Sequence, residues 1–188
     1  AILLINAQSQ ESSAPGRAAA MESYAALTER ATLKANPAQP LPLDLYTRVL
    51  EPAMQLGQKV VENDSPSSDL EKQIARLYAT AGQLIREHSY EKWPFEEVDQ
   101  KAVDFFNHAI KLDPGQAKYF VGRAYSRSRQ FARRRIPPEV LKQLQEDAQK
   151  AKELNDQFPG GHGLLGYVLL LQSRGQRDVT RRASDLRE

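Results

Sequence analysis

Apolar residues recur at helical intervals along most of the chain after Pro15. The segment 16–35 is rich in strong helix formers and ends before Asn36-Pro37. The segments 70–88 and 96–112 each carry an apolar stripe with the spacing of one helix face. These stripes contain Leu70, Ile74, Leu77, Ala81, Leu84 and Ile85 in the first, and Val98, Ala102, Phe105, Phe106, Ala109 and Ile110 in the second. The same pattern predicts helices at 116–132, 138–156 and 161–173.

Proline, glycine and serine divide these helices. Pro52 should kink or divide the helix over 41–61, since it removes an internal hydrogen bond. Before residue 70, Ser67, Ser68 or Asp69 can act as the N-cap. Pro114-Gly115 ends one helix, and Gly160-Gly161 predicts a tight reversal. Strand signals are nearly absent. Helices joined by short turns indicate an all-α chain of antiparallel helical hairpins.

Two consecutive helix pairs carry a repeated motif. Ala102, Phe106, Ala109 and Pro114 have the spacing A-x3-F-x2-A before a closing proline. Gly122 and Tyr125 follow at the positions of a small and a large residue in the next helix. A weaker copy consists of Ala148, Ala151 and Leu154 before Pro159, with Gly166 as the small residue of a third opening helix. The segment 102–125 and, less closely, the chain to about residue 175 thus resemble tetratricopeptide repeats, which are two-helix units of about 34 residues.

The resemblance implies helix-turn-helix repeats stacked as a right-handed superhelix. Its concave groove would be lined by the first helix of each pair, an extended surface without a deep catalytic pocket. The expected organisation is an N-terminal tail or remnant at 1–15, capping helices at 16–66, repeats at 67–175 and a polar C-terminal tail at 176–188. In that tail, Ser184 follows Arg181-Arg182-Ala183 and resembles a kinase site, although a frayed polar terminus is the default expectation.

Composition excludes some classes of site. The chain has no cysteine, which excludes disulfides and thiolate metal sites. No apolar run approaches the roughly 20 residues needed to span a bilayer. The three histidines show no metal-binding spacing, and we expect no metal, no cofactor and no enzyme activity. The opening "AILLINAQSQESS" fits either the remnant of a targeting signal or a segment packed on the first helix. A cytoplasmic location is favoured, with a periplasmic or secreted one left open.

Positive charge is concentrated between Lys118 and Arg135, a stretch with seven basic residues and no acidic one. Because the whole chain carries only +2, the remaining residues are net acidic. A helical wheel places an apolar arc opposite a basic one. From the basic arc we predict five partner-binding residues: Lys118, Tyr119, Arg123, Arg127 and Arg134. The arginines would bind carboxylate or phosphate, and Tyr119 would stack on the ligand.

Three functions remain open at this stage. The leading hypothesis is a scaffold or adaptor that binds a protein or peptide partner, with an acidic segment as the expected ligand. The alternatives are a nucleic-acid-associated helical protein and the regulatory region of a larger enzyme. The basic face could equally be a solvated surface whose arginines pair with acidic residues of the helix at 138–156. If Arg123 and Arg127 are exposed ligand contacts, reversing both to Glu should abolish partner capture with little change in thermal melting.

Overall fold

The structure, a computed structural model, describes residues 14–34, 46–64, 66–87, 95–132 and 135–185, and the side chains of 15–29, 48–64, 66–87, 97–132 and 135–173. Within these ranges the chain forms helices and turns without a β-strand, which confirms the all-α prediction. The seven α-helices are α1 (Ala14–Lys34), α2 (Glu51–Asn63), α3 (Ser68–Glu87), α4 (Phe95–Leu112), α5 (Ala117–Arg129), α6 (Pro138–Leu154) and α7 (Pro159–Asp185). A π-helical turn, Tyr46–Leu50, leads into α2.

The helices form two compact units, Ala1–Pro114 and Gly115–Glu188. The boundary lies at Pro114-Gly115, where the sequence predicts that one helix pair ends and the next begins. Neighbouring helices pack within each unit, as expected for antiparallel hairpins. The right-handed superhelical stacking of these pairs stays a prediction.

In the first unit, α3 packs along α4, and α1 lies on α2 and α3. The predicted stripes form most of the core. Ile74, Leu77, Ala81, Leu84 and Ile85 of α3 are buried, as are Val98, Ala102, Phe105, Phe106 and Ala109 of α4. Leu70 and Ile110 lie at the edges and are only partly buried. The periodicity therefore identified the inward faces of both helices.

Glycines set how closely helices approach in this unit. A Cβ added to Gly82 of α3 would lie 3.1 Å from Phe106 Cε2, 3.2 Å from Phe105 Cβ and 3.3 Å from the carbonyl oxygen of Ala102. The carbonyl oxygen of Ala102 and the Cβ of Phe105 are fixed by the backbone of α4, so they have little freedom to move. The close contact between α3 and α4 thus depends on the missing side chain at Gly82.

A second close approach brings α3 to α2. Tyr78 of α3 is fully buried, and its hydroxyl donates a hydrogen bond to the carbonyl oxygen of Met54 over 2.9 Å. A Cβ on Gly57 would lie 2.8 Å from that hydroxyl oxygen. Burial raises the pKa of Tyr78 well above its ordinary value, with a further contribution from the negative charge of Glu62. The phenol therefore stays a neutral donor.

Helix boundaries agree with the sequence in two places and differ in one. Pro52 lies in the first turn of α2, directly after the π-helical turn, so the helix changes type beside the proline. Ser67 caps α3 by accepting a hydrogen bond from the backbone N–H of Leu70 over 3.3 Å. The reversal predicted at Gly160-Gly161 is displaced. The chain turns at Asn155–Phe158, and both glycines lie inside α7.

The second unit consists of α5, α6 and α7. Helix α6 packs on both of its neighbours, and α5 also contacts α7. The rings of Tyr125 and Tyr167 meet across this α5–α7 contact, with centroids 5.9 Å apart. Leu144, Ala148 and Ala151 of α6 are fully buried. Helix α7 continues to Asp185, through most of the segment predicted as a polar tail.

Gly166 does not mark a close helix contact, contrary to its predicted role as the small residue of the third opening helix. It is exposed, and a Cβ there would meet no atom within 4 Å. Two other glycines of α7 face neighbouring helices: a Cβ on Gly161 would lie 3.5 Å from the backbone nitrogen of Lys152 in α6, and one on Gly163 would lie 3.7 Å from the Tyr125 hydroxyl in α5. Leu169 and Leu170 are exposed on the same helix as Gly166.

An ion pair fastens α1 to the end of α2. The guanidinium of Arg17 donates from Nε to Asp64 Oδ2 over 2.7 Å and from Nη2 to Asp64 Oδ1. This hydrogen bonding, more than the charge of Arg17 itself, lowers the pKa of Asp64 below its ordinary value and raises that of Arg17. Asp64 follows the last residue of α2, so the pair joins the two helices at that point.

Alanine substitution at two glycines should have opposite effects. Gly82→Ala places a methyl group against α4 and should destabilise the first unit by about 1–3 kcal/mol through overpacking. Gly166→Ala fills open space on an exposed helix and should stabilise the second unit by about 0.5–1 kcal/mol through helix propensity. Urea unfolding of both variants measures the two free energies. Equal effects would contradict the close contact at Gly82.

Acid should weaken the attachment of α1. Because the pKa of Asp64 is lower in the folded chain than in the unfolded one, its stabilisation is present above the unfolded value of about 3.9 and is lost as the pH falls through the folded value. Asp64→Asn should therefore lower the melting temperature at neutral pH, and the difference from the unmodified chain should shrink below about pH 4. Thermal unfolding followed by far-UV circular dichroism measures the two melting temperatures. Asp104→Asn, on an exposed face of α4, is the matched control.

Candidate functional site

Helix α5 carries four of the five predicted binding residues but is buried around much of its circumference. The expected apolar residues Phe120, Val121 and Ala124 are buried, and so are Gly122 and Ser126. The Ser126 hydroxyl is accommodated because it donates to the carbonyl oxygen of Gly122 over 2.9 Å, within the helix itself. The helix is therefore less amphipathic than a wheel drawn from the sequence implies.

Tyr119 is not an exposed stacking platform. Its side chain is 1% exposed, so the prediction that it stacks on a ligand is wrong. The adjacent Lys118 is exposed, and its Nζ lies 5.6 Å from the centroid of the Tyr119 ring. Tyr119 thus contributes apolar packing, and the cation beside it remains available at the surface.

Arg123 and Arg127 share one buried carboxylate on α6. Arg123 donates from Nε to Asp147 Oδ2 over 3.1 Å and from Nη2 to Asp147 Oδ1. Arg127 donates from Nη1 to Asp147 Oδ2 over 3.2 Å. The Asp147 side chain is only 4% exposed, against 20% for Arg123 and 17% for Arg127. Two arginines one helical turn apart therefore clamp α5 to α6 through a single acidic residue.

The surroundings make the two arginines unequal. The Arg123 guanidinium carbon also lies 5.4 Å from the centroid of the Phe120 ring, a cation–π distance that holds it in place. Burial lowers the pKa of Arg127, and the positive charge of Arg123 lowers it further, against the opposing effects of Asp147 and Glu146. Arg127 remains protonated, and it donates one hydrogen bond to Asp147 where Arg123 donates two.

The predicted set thus divides into members with different roles. Lys118 is exposed, Tyr119 is buried, and Arg123 and Arg127 form the ion pairs with Asp147. For Arg123 and Arg127 the structure contains the alternative arrangement, in which the arginines pair with an acidic residue of the helix at 138–156. Arg134 lies outside the described residues.

Asp147 is the residue that the sequence analysis missed. It lies among Leu144, Ala148 and Ala151 on the buried stripe of α6. A carboxylate within an apolar stripe is costly unless it is paired, so its position signals a basic partner on a neighbouring helix. The signal was present in the sequence as the spacing of Asp147 relative to the apolar residues.

The chemistry of this cluster is the pairing of two guanidinium groups with the carboxylate of Asp147. Guanidinium groups donate hydrogen bonds and do not exchange protons in the physiological range. Among the described residues, no three His, Cys, Asp or Glu side chains are close enough together to hold a metal ion. None of the described helices is long and apolar enough to cross a membrane.

Comparison with known proteins adds no family to this picture. No protein-family model matches the chain, and the search of curated proteins gives no match.

Charge reversal at Arg123 should unfold the contact between α5 and α6. Arg123→Glu would place a second carboxylate beside the buried Asp147, at a cost of roughly 3 kcal/mol in unfolding free energy. This replaces the expectation that reversal leaves thermal melting unchanged. Urea unfolding measures the loss.

Two further variants separate the ion pair from general charge effects. Lys142→Glu, on the exposed face of α6, should cost less than about 1 kcal/mol. Adding Asp147→Arg to Arg123→Glu should recover part of the stability. Absence of any recovery, together with an equal effect at Lys142, would contradict the buried pair.

Proposed function

We propose that the chain is a non-catalytic helical-repeat module, of the tetratricopeptide kind, that binds a segment of another protein. The observation that carries the proposal is the contact of Gly82 with Ala102, Phe105 and Phe106. The repeat motif has a glycine in its first helix, and an alanine and a phenylalanine four residues apart in its second. Gly82, Ala102 and Phe106 have these identities and pack against one another.

The arrangement of the second unit supports the same proposal. Helix α5 contacts α6, its expected partner within one repeat, and also α7, the expected first helix of the next repeat. Successive helices of this kind stack into a continuous surface, since each repeat buries its apolar face on its neighbours. By the resemblance, α5 and α7 would line the side that receives a partner.

The chemistry of α5 favours an acidic partner segment. Lys118 is exposed, and Arg123 and Arg127 keep part of their surface. A nucleic acid would require a row of free cations to follow its phosphates. The commitment of Arg123 and Arg127 to Asp147 leaves fewer cations on α5 for such a row, which suits a peptide carboxylate better than a nucleic-acid backbone.

Cross-linking to Lys118 tests this function. The chain would be incubated with cell extract, treated with a carbodiimide, which activates carboxyl groups and joins them to lysine amines as amides, and examined by mass spectrometry. We expect cross-links between Lys118 and acidic segments of captured proteins, because opposite charges bring those segments to α5. In a parallel capture without cross-linker, Lys118→Glu should reduce recovery of the same proteins about threefold.

The control is Lys59→Glu, the same charge change at an exposed site on α2. It should leave recovery unchanged. Capture that is lost on nuclease treatment, and is indifferent to Lys118→Glu, would overturn the proposal in favour of a nucleic-acid ligand.

A further inference from the structure

Arg127 keeps one edge of its guanidinium group unused. Its Nη1 donates to Asp147 over 3.2 Å, whereas its Nε and Nη2 make no hydrogen bond to another residue in the described ranges. The side chain is 17% exposed, so it still has contact with solvent. A half-buried guanidinium with donors unpaired by protein is a site where an anion replaces water.

The neighbouring arginine shows how such an edge binds a carboxylate. Arg123 uses its own Nε and Nη2 to hold Asp147 side-on. The planar edge that is free on Arg127 is the same edge, and it matches the two oxygens of a second carboxylate. The Asp147 carboxylate fixes both guanidinium groups relative to α6, so little side-chain entropy remains to be lost on binding.

The local charge also favours a second anion. Two guanidinium groups share one buried carboxylate, and each repels the other. Glu146 is the other carboxylate that acts on Arg127, but its side chain is 63% exposed and lies 3.8 Å from Lys142 Nζ. Glu146 therefore compensates Arg127 only in part and would compete weakly with a ligand.

We propose that Arg127 anchors a carboxylate of an acidic peptide through its Nε–Nη2 edge, with the Arg123–Asp147 pair as the fixed platform. This proposal rests on the proposed function and names its contact. Arg127 is the anchoring residue, Arg123 is a positioning residue, and Asp147 holds both.

Fluorescence anisotropy with a labelled octaglutamate peptide tests the anchor on the full chain. Arg127→Gln should weaken binding on the order of tenfold, since it removes a charge-assisted pair of hydrogen bonds. Arg127→Lys should also weaken binding severalfold, because it keeps the charge and loses the planar edge. Glu146→Gln should tighten binding about twofold by removing the competing carboxylate.

The matched control is Arg76→Gln, the same chemical change on an exposed face of α3. It should alter affinity by less than twofold or so. Circular dichroism checks that each variant is folded. If Arg127→Gln is not folded, Arg127→Lys decides, and unchanged affinity of Arg127→Lys overturns the edge contact.

The outcomes separate this inference from the function on which it rests. If the unmodified chain binds octaglutamate and Arg127→Gln behaves like Arg76→Gln, only the anchor is wrong. If the unmodified chain does not bind octaglutamate, the acidic-partner function fails as well. Tighter binding of a single-stranded oligonucleotide, with the same dependence on Arg127, would assign the site to phosphate and overturn the peptide ligand.

Discussion

Close approach between helices at missing side chains is the constraint on which the packing depends. Gly57 makes room for the Tyr78 hydroxyl, and Gly82 lets α3 lie against α4. At both positions the glycine sacrifices helix propensity, which alone would favour alanine by about 1 kcal/mol. Packing outweighs helix propensity here because an added methyl group would have to displace a neighbouring helix or its buried aromatic residue. The protein interior between helices has little free volume to accept it.

The second unit adds an electrostatic constraint. Asp147 occupies a core position of α6, where it is tolerated because Arg123 and Arg127 surround it. Such a pair contributes less to stability than its contacts suggest, because desolvation offsets much of the attraction. We expect its stronger effect on specificity, since another register of α5 against α6 would leave the buried carboxylate unpaired. The same pairing leaves Arg127 partly uncompensated, which connects the fold to the proposed anion contact.

Periodicity predicted the inward faces of α3 and α4 well. The reason is that these helices bury one side against neighbours in the same unit, so hydrophobic spacing and burial coincide. Local signals were equally reliable at Pro52 and Ser67, because a missing N–H and a capping hydroxyl act within one helical turn. The turn before Pro159 was misplaced because glycine permits a reversal without requiring one.

The candidate site was predicted less completely. Charge clustering located α5 as the basic element, but Tyr119 was assigned to the surface because a wheel treats a helix as having one buried side. Gly166 was assigned to a contact because it lies at the motif position, whereas a Cβ there would meet no atom within 4 Å in the part of the chain that the structure describes. Both errors concern which other helix lies nearby, and a single segment does not contain that information.

The sequence by itself determined the helices, most of their limits and the faces of α3 and α4, since those follow from hydrogen bonding and hydrophobic spacing within each segment. Only the tertiary structure decided that Asp147 would receive two arginines and that one of them would keep a free edge. The physical reason is that the cost of a buried charge is set by the distance and orientation of groups on another helix, which come together only when the chain folds.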